Sequence, residues 1–128
     1  MTRKITTHEV NDLNEAITLT ARDNPGHGGA NHFYRMEYVD PRNPSTLKGY
    51  TAQTIHFQEG PVSEEGINGI TNEVLLAIVE DRLAGFQRGK FACEENEEAL
   101  FSVRQALQHL KRRTVKRMER GVEGTHQV

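Results

Sequence analysis

The spacing of the apolar residues changes halfway along this chain of 128 residues. In the first half, apolar and polar residues alternate between clusters of turn residues, which is the period of strands in an antiparallel sheet. In the second half, apolar residues recur at every third or fourth position, which is the period of a helix. Because strand-like and helix-like stretches are segregated, the sequence predicts an α+β fold with an N-terminal antiparallel β-sheet and a C-terminal helical hairpin.

Three strands are predicted, and the first two pair across the glycine-containing loop Asp23–Gly29. Turn residues over Asp40–Ser45 end the second strand. The loop region also carries His27 and His32, which lack a nearby acidic or cysteine partner and are interpreted as loop histidines rather than metal ligands. The predicted strands are Ile17–Ala21, His32–Val39 and Gln53–Phe57, with a further short strand over Lys4–Val10.

The two helices of the hairpin have recognisable ends. Thr71 is suited to cap the first helix, which ends within Gly85–Gly89, and the second begins near Cys93 or Glu94 and stops at Gly121. The apolar face of the first helix consists of Val74, Leu75, Ile78, Val79 and Leu83. The packing stripe of the second consists of Leu100, Val103, Leu107, Leu110 and Met118.

The length is typical of one domain, so we interpret residues 1–128 as a single domain. Residues 1–62 are then mainly β, residues 70–120 the helical hairpin, and residues 121–128 a glycine-punctuated tail. Hydrophobic residues make up only 35% of the chain, which leaves a thin core and favours oligomerisation through the helices. We expect a soluble protein in a reducing cytoplasm, because no long apolar run or signal peptide is evident and Cys93 is the single cysteine.

The net charge of -2 conceals a separation of charge along the second helix. Acidic residues cluster at its start and basic residues toward its end, which complements the helix dipole and also makes the basic end a candidate for binding anions. The acidic residues are Glu94, Glu95, Glu97 and Glu98. The basic residues are Arg104, Lys111, Arg112, Arg113, Lys116, Arg117 and Arg120.

Three of the basic residues share one helix face. Arg113, Arg117 and Arg120 stand at positions i, i+4 and i+7, so their guanidinium groups are placed to surround a phosphate or a pyrophosphate. A solvated face that forms salt bridges with glutamates of a neighbouring helix has the same spacing. Both interpretations remain open on spacing alone.

The connection between the helices places aromatic and cationic residues together in Phe86–Phe91. An aromatic ring there is suited to stack on a base, although Phe86 is equally suited to close the core at the end of its helix. Asn96 is placed either to contact a base or ribose edge or to serve as an ordinary cap. No nucleophile stands near a base in the sequence, so no enzyme signature and no cofactor site are predicted.

Several short motifs give the chain a resemblance to a family. They are Gly28–His32, Phe57–Pro61, Gly66–Gly69, Asp81–Leu83, Phe86–Gln87, Phe91–Ala92, Glu95–Asn96, Arg113–Thr114 and, as the most specific of them, Arg120–His126. In these motifs the chain resembles the first Thoeris anti-defence type of phage sponge, a relative of the anti-CBASS cyclic-nucleotide sponges. The chain departs from the family pattern at Arg88–Phe91, where a small or polar residue followed by Gly-Pro-Phe is expected, and at Glu94, where arginine is common.

The resemblance implies a phage protein without catalytic activity that acts in the cytoplasm of the infected bacterial host. Such a protein traps the cyclic ADP-ribose isomers made by bacterial TIR proteins, namely 1''-2' or 1''-3' glycocyclic ADP-ribose. Matched motif by motif, the resemblance places the ligand at Phe86, Asn96, Arg113 and Arg117. It also implies a second site for cyclic di- or trinucleotides, which we place at Arg120, Glu123, Gly124 and Thr125.

Helix geometry adds a requirement to this assignment. Asn96 and Arg113 are 17 positions apart on one predicted helix, which corresponds to roughly 25 Å at 1.5 Å per residue. One small ligand does not span that distance, so the resemblance and the helix together predict at least a symmetric dimer, with a hexamer as a larger assembly. Two other functions remain open: a nucleic-acid-binding module that uses the basic helix, and an enzyme that degrades the signal.

Overall fold

The structure is a computed structural model that describes residues 2–40, 42 and 50–128, so the predicted turn at Asp40–Ser45 lies largely outside the described residues. The chain divides into two compact units. The first ends at Gly60 and also takes in Ile67–Ile70, and the second consists of Pro61–Gly66 and Thr71–Val128. Strands lie in the first unit and the long helices in the second, which confirms the predicted α+β fold. The interpretation as one domain stays a prediction.

The first unit contains a four-stranded antiparallel sheet in the order β1-β2-β3-β4. The strands are β1 Arg3–Ile5, β2 Ile17–Ala21, β3 Phe33–Val39 and β4 Tyr50–His56. The predicted bounds of β2 are confirmed, and those of β3 and β4 differ by one to three residues at their ends.

Strand β1 is shorter than predicted, because the chain turns away from the sheet after Ile5. The Glu9 amide donates to the Thr6 carbonyl, and the His8 ring lies 2.7 Å from the Ile17 carbonyl oxygen through Nε2. A short helix follows, α1 (Asp12–Glu15), which the Asn11 side chain caps by accepting from the Asn14 amide. These local polar contacts compete with strand pairing over the residues that alternation assigned to β1.

Asp23 closes the loop between β2 and β3. Its carboxylate accepts hydrogen bonds from the backbone amides of His32 and Phe33 and from the Asn31 side chain, at 3.0, 3.3 and 3.1 Å. The pKa of Asp23 lies below its ordinary value, chiefly because the His32 amide stabilises the carboxylate. His32, predicted to open the strand, instead directs its amide to Asp23 and is nine-tenths buried, so β3 begins at Phe33.

The second unit contains α2 (Val62–Glu65), α3 (Asn72–Gln87) and α4 (Glu94–Glu119), and α3 packs against α4. The predicted cap at Thr71 is confirmed, since its hydroxyl accepts from the Val74 amide. Helix α4 begins where predicted, and the Cys93 thiol accepts from the Asn96 amide at 3.5 Å. The predicted helical hairpin is therefore present.

The helical hairpin buries only part of its apolar residues. Leu100 and Leu107 of the predicted stripe are buried, whereas Met118 at its far end is 63% exposed. On α3, the predicted apolar face also remains partly in contact with solvent at Val74 and Ile78. Across the part of the chain that the structure describes, none of the helices combines the length and the apolar character that a membrane span requires.

Gly121 ends α4 in the arrangement known as a Schellman motif. Its φ is +73°, its amide donates to the Met118 carbonyl, and the Val122 amide donates to the Arg117 carbonyl. The predicted stop at Gly121 is thus confirmed. The chain then folds back along α4, and we call residues Val122–Val128 the return segment. Val122 is buried, and the Gly124 carbonyl accepts from Ser63.

We predict that Asp23→Asn lowers thermal stability at neutral pH and has a smaller effect in acid. The asparagine side chain has a single acceptor oxygen, so it cannot accept all the hydrogen bonds that the carboxylate accepts. Its NH₂ group would also face backbone N–H groups, which are donors themselves. Because the folded-state pKa of Asp23 is depressed, its stabilisation is complete above pH of about 4 and is lost as pH falls through the folded pKa. Thermal unfolding of both proteins between neutral and strongly acidic pH measures the difference in Tm. A difference that is the same at every pH would contradict the role of the carboxylate.

We predict that Gly121→Ala lowers the free energy of unfolding by about 1 kcal/mol, the cost of a left-handed conformation for a residue with a Cβ atom. No heavy atom lies within 4 Å of the added Cβ, so the backbone conformation alone carries the cost. Gly85→Ala is the matched control, because Gly85 lies inside α3 and its Cβ meets only Arg88 Nη2 at 3.7 Å. The control should gain about 0.5 kcal/mol. Denaturant unfolding followed by circular dichroism compares the two, and equal stabilities would contradict the prediction.

Candidate ligand-binding site

A pocket lined by cations lies along the second half of α4. Its volume is about 410 Å³. Its lining residues recur every three or four positions, so they project from one face of the helix, and only the last belongs to the return segment. They are His109, Arg112, Arg113, Lys116, Arg117, Arg120 and Val128. The structure thus brings together the three arginines that the sequence placed on one face.

Three cations of this pocket have no countercharge among the residues that the structure describes. The side chains of Arg112, Arg113 and Lys116 are exposed and make no hydrogen bond or ion pair with any residue among those the structure describes. A salt bridge to a neighbouring helix, which spacing left open as the alternative for these arginines, forms instead at Arg104, whose Nε lies 3.2 Å from Glu80 Oε2. The positive potential of the pocket is therefore uncompensated at its centre, which favours the binding of an anion.

Arg117 has a different environment from its neighbours in the pocket. Its side chain is only 10% exposed and its Nε forms an ion pair with Glu123 at 2.9 Å. Nη1 donates to the Gln127 carbonyl at 2.6 Å, and Nη2 donates to the carbonyls of Val122 and Thr125 at 2.9 and 3.3 Å. Helical spacing does not distinguish Arg113 from Arg117. In the structure Arg113 is exposed and Arg117 is buried.

The residues assigned to a second nucleotide site lie in or beside the return segment. Arg120 donates to the Val128 carbonyl at 2.7 Å, and Glu123 pairs with Arg117. The Gly124 carbonyl accepts from Ser63, and the Thr125 hydroxyl donates to the Val122 carbonyl. These groups are brought together, but each of them has a partner within the chain.

Phe86 and Asn96 lie near the opposite end of α4, and each of them contacts Phe91. The rings of Phe86 and Phe91 are 6.4 Å apart in an edge-to-face arrangement, and the Asn96 side chain donates to the Phe91 carbonyl at 3.4 Å. Phe86 is 39% exposed, so part of its ring is open to a ligand. Cys93 caps α4 by accepting from the Asn96 backbone amide. The Asn96 side chain therefore does not serve as the cap, which was its alternative role.

The residues predicted to bind one ligand lie too far apart on a single chain. Asn96 and Arg113 both belong to this one uninterrupted helix, as predicted, and its rise separates them by roughly 25 Å. The structure therefore has an aromatic cluster at the start of α4 and a cationic pocket near its end, and we call these the half-sites of the candidate site. A ligand that contacts both half-sites must bind between two chains.

Two residues that the sequence interpretation left out contribute to the half-sites. His109 lines the cationic pocket four positions before Arg113, and the guanidinium of Arg82 lies 5.5 Å from the centre of the Phe86 ring, four positions before it. The same i, i+4 spacing that grouped the arginines was a signal for both. Among the described residues, no group of three or more His, Cys, Asp and Glu side chains is arranged to hold a metal ion.

Comparison with known proteins agrees with this architecture. A relative named Thoeris anti-defense 1, from Bacillus phage SBSphiJ7, is 46% identical over 84 residues. That alignment covers 64% of this chain and 59% of the relative, so the chain matches less than two thirds of the relative's length. The family model described as "Acb2/Tad1, hairpin domain" matches residues 50–115, more than half of the chain's 128 residues and most of the helical hairpin. The chain therefore belongs to the Acb2/Tad1 hairpin-domain family.

Proposed function

We propose that the protein is a phage anti-defence sponge that binds a cyclic ADP-ribose isomer, 1''-2' or 1''-3' glycocyclic ADP-ribose, and withholds it from the host's Thoeris effector. It would act in the cytoplasm of the infected bacterium. The observation that carries the proposal is the pocket on α4, where Arg112, Arg113 and Lys116 have no countercharge among the described residues. Membership of the Acb2/Tad1 hairpin-domain family and the similarity to Thoeris anti-defense 1 support this choice of ligand.

The two half-sites match the two chemical parts of such a ligand. A pyrophosphate fits the exposed cations around Arg113, and Arg117 lies beside them in the same pocket with its side chain paired to Glu123. An adenine ring fits the exposed part of Phe86, and the Asn96 side chain, which contacts the neighbouring Phe91, supplies an amide to read its edge. Sequestration requires binding without turnover, with a dissociation constant of roughly nanomolar, or about -12 kcal/mol.

The proposal requires two chains with antiparallel α4 helices, because each pocket takes its aromatic half-site from one chain and its cationic half-site from the other. Twofold symmetry then produces two identical pockets. Apolar residues left exposed on the helical hairpin supply a surface for the contact between chains. They include Val74, Ile78, Val79, Phe101, Val115 and Met118. A hexamer would extend this assembly.

A second site for cyclic di- or trinucleotides would use Arg120, Glu123, Gly124 and Thr125. A ligand there has to replace hydrogen bonds that these residues already make, since Arg120 binds the Val128 carbonyl and Glu123 binds Arg117. The second site is therefore proposed as the weaker of the two.

The row of cations on α4 also supports an alternative function, a nucleic-acid-binding module. The two functions differ in their dependence on salt. Affinity for a long nucleic acid falls steeply with salt because many counterions are released, whereas a pocket for a ligand with two phosphates releases few. Titrations at two salt concentrations distinguish them, and tight capture of duplex DNA with a steep salt slope would favour the alternative.

We predict that Arg113→Ala weakens capture of glycocyclic ADP-ribose by about 1.5 to 3 kcal/mol, the value of a charge-assisted hydrogen bond. Arg104→Ala is the matched control, because it removes the same charge from the same helix but outside the pocket, and its exposed pair with Glu80 contributes little to stability. Calorimetric titration of the folded variants measures both affinities. Equal affinities would assign Arg113 to a solvated face.

Ligand recovered after heating the complex distinguishes a sponge from an enzyme. We expect mass spectrometry to find the released cyclic ADP-ribose isomer unmodified and in stoichiometric amount. A hydrolysed or linearised product, formed in proportion to incubation time, would show turnover and would contradict the proposed function.

We predict that binding defects in the two half-sites complement one another across chains. In a heterodimer of an Asn96→Trp chain and an Arg113→Ala chain, both defects fall in one pocket and the other pocket is unaltered. That heterodimer should bind one ligand per dimer with the affinity of the unaltered protein, whereas either homodimer has a defect in both pockets and should bind every ligand more weakly. Purified heterodimers with distinct affinity tags and calorimetry provide the test. If the heterodimer also lacks a tight site, each pocket is built within one chain.

A further inference from the structure

Arg117 is fastened to one short stretch of chain. Among the residues that the structure describes, its side chain forms four hydrogen bonds, and all of them go to the return segment, namely to the Glu123 carboxylate and to the carbonyls of Val122, Thr125 and Gln127. The Arg117 side chain is only 10% exposed, in contrast to the exposed Arg113 one turn earlier. A single side chain thus binds four of the seven residues of the return segment to α4.

The donors of Arg117 are nearly used up by these contacts. A guanidinium group has five N–H donors. One on Nε, one on Nη1 and two on Nη2 are directed at the return segment, which leaves a single N–H on Nη1. A bidentate clamp on a phosphate needs two parallel N–H groups. Arg117 therefore does not clamp a phosphate unless it releases the return segment.

The return segment contributes directly to the pocket. Val128 lines the pocket, and its carbonyl accepts from Arg120 at 2.7 Å. The segment has other attachments, since Ser63 donates to the Gly124 carbonyl and Glu64 lies 2.9 Å from the His126 ring. Those contacts are exposed at the surface, whereas one of the Arg117 hydrogen bonds is buried and the other three are partly buried, so we expect Arg117 to contribute most to the order of the segment.

We propose that Arg117 is a positioning residue of this site. It fastens the return segment to α4, and so holds Val128 and Arg120 at one end of the pocket in which Arg113, with Arg112 and Lys116, contacts the phosphates. Its own charge is compensated by Glu123. The identity of the ligand rests on the proposed function, but the role of Arg117 toward the return segment does not.

The test is a double-mutant cycle with four proteins: the unaltered chain, Arg117→Lys, a chain without residues 122–128, and the combination. Lysine keeps the charge but has three donors on one atom and does not reproduce the planar fork of arginine. Amide hydrogen exchange of residues 122–128, calorimetric titration with glycocyclic ADP-ribose and circular dichroism are measured. Arg113→Lys on each background is the matched control, because Arg113 makes no contact with the return segment among the described residues.

We expect Arg117→Lys to accelerate exchange in the return segment at least tenfold while α4 stays helical. Arg117→Lys and the deletion should each weaken ligand binding by roughly tenfold, the effect of about one charge-assisted contact, and the combination should be no weaker than the deletion alone. Arg113→Lys should leave exchange unchanged and weaken binding on both backgrounds.

Two results would overturn the proposal. One is unchanged exchange of residues 122–128 in Arg117→Lys, and the other is a loss of affinity from Arg117→Lys that is as large without the return segment as with it. If the unaltered protein binds no cyclic ADP-ribose isomer, the proposed function fails. In that case hydrogen exchange still shows whether Arg117 orders the return segment. Binding of inorganic pyrophosphate then replaces the cyclic nucleotide in the titrations of the pocket.

Discussion

One uninterrupted helix sets the distances on which the arrangement of the half-sites depends. Helix α4 has 26 residues and contains neither glycine nor proline, so it extends over about 39 Å. Its first turn is capped by Cys93 and its last is closed by Gly121, so both ends are stabilised without help from a partner. Because the helix is rigid over this length, Phe86 and Asn96 are held away from Arg113. The proposed pocket, which uses residues from both ends of α4, would therefore need a second chain.

The helix dipole explains only part of the charge separation along α4. Acidic residues in the first turn and basic residues in the last turn complement the helix dipole, and that effect falls off within one turn of each end. Arg112 and Arg113 lie well before the last turn, so the dipole does not account for them. Their lack of a countercharge among the described residues costs stability through mutual repulsion, which is expected at a site selected for binding an anion.

Much of the fold was predictable because its elements have periodic patterns or specific end signals. The bounds of Ile17–Ala21, the cap at Thr71 and the stop at Gly121 each follow from one such signal. The strand predicted over Lys4–Val10 was too long, because the His8 ring approaches the Ile17 carbonyl and the chain turns there. Contacts of that kind depend on the path of the chain, which alternation of residue types does not record.

The candidate site was predictable as a set of residues but not as a set of roles. Helical spacing placed Arg113, Arg117 and Arg120 on one face, and the structure agrees. Spacing does not reveal which of them is neutralised, because the return segment has no periodicity and its carbonyls carry no sequence signal. Burying a guanidinium without acceptors would cost several kcal/mol, so the folded return segment and the buried Arg117 require each other. The most conspicuous arginine pattern in the sequence therefore combines Arg117, whose charge is paired with Glu123, with Arg113, whose charge has no partner among the described residues.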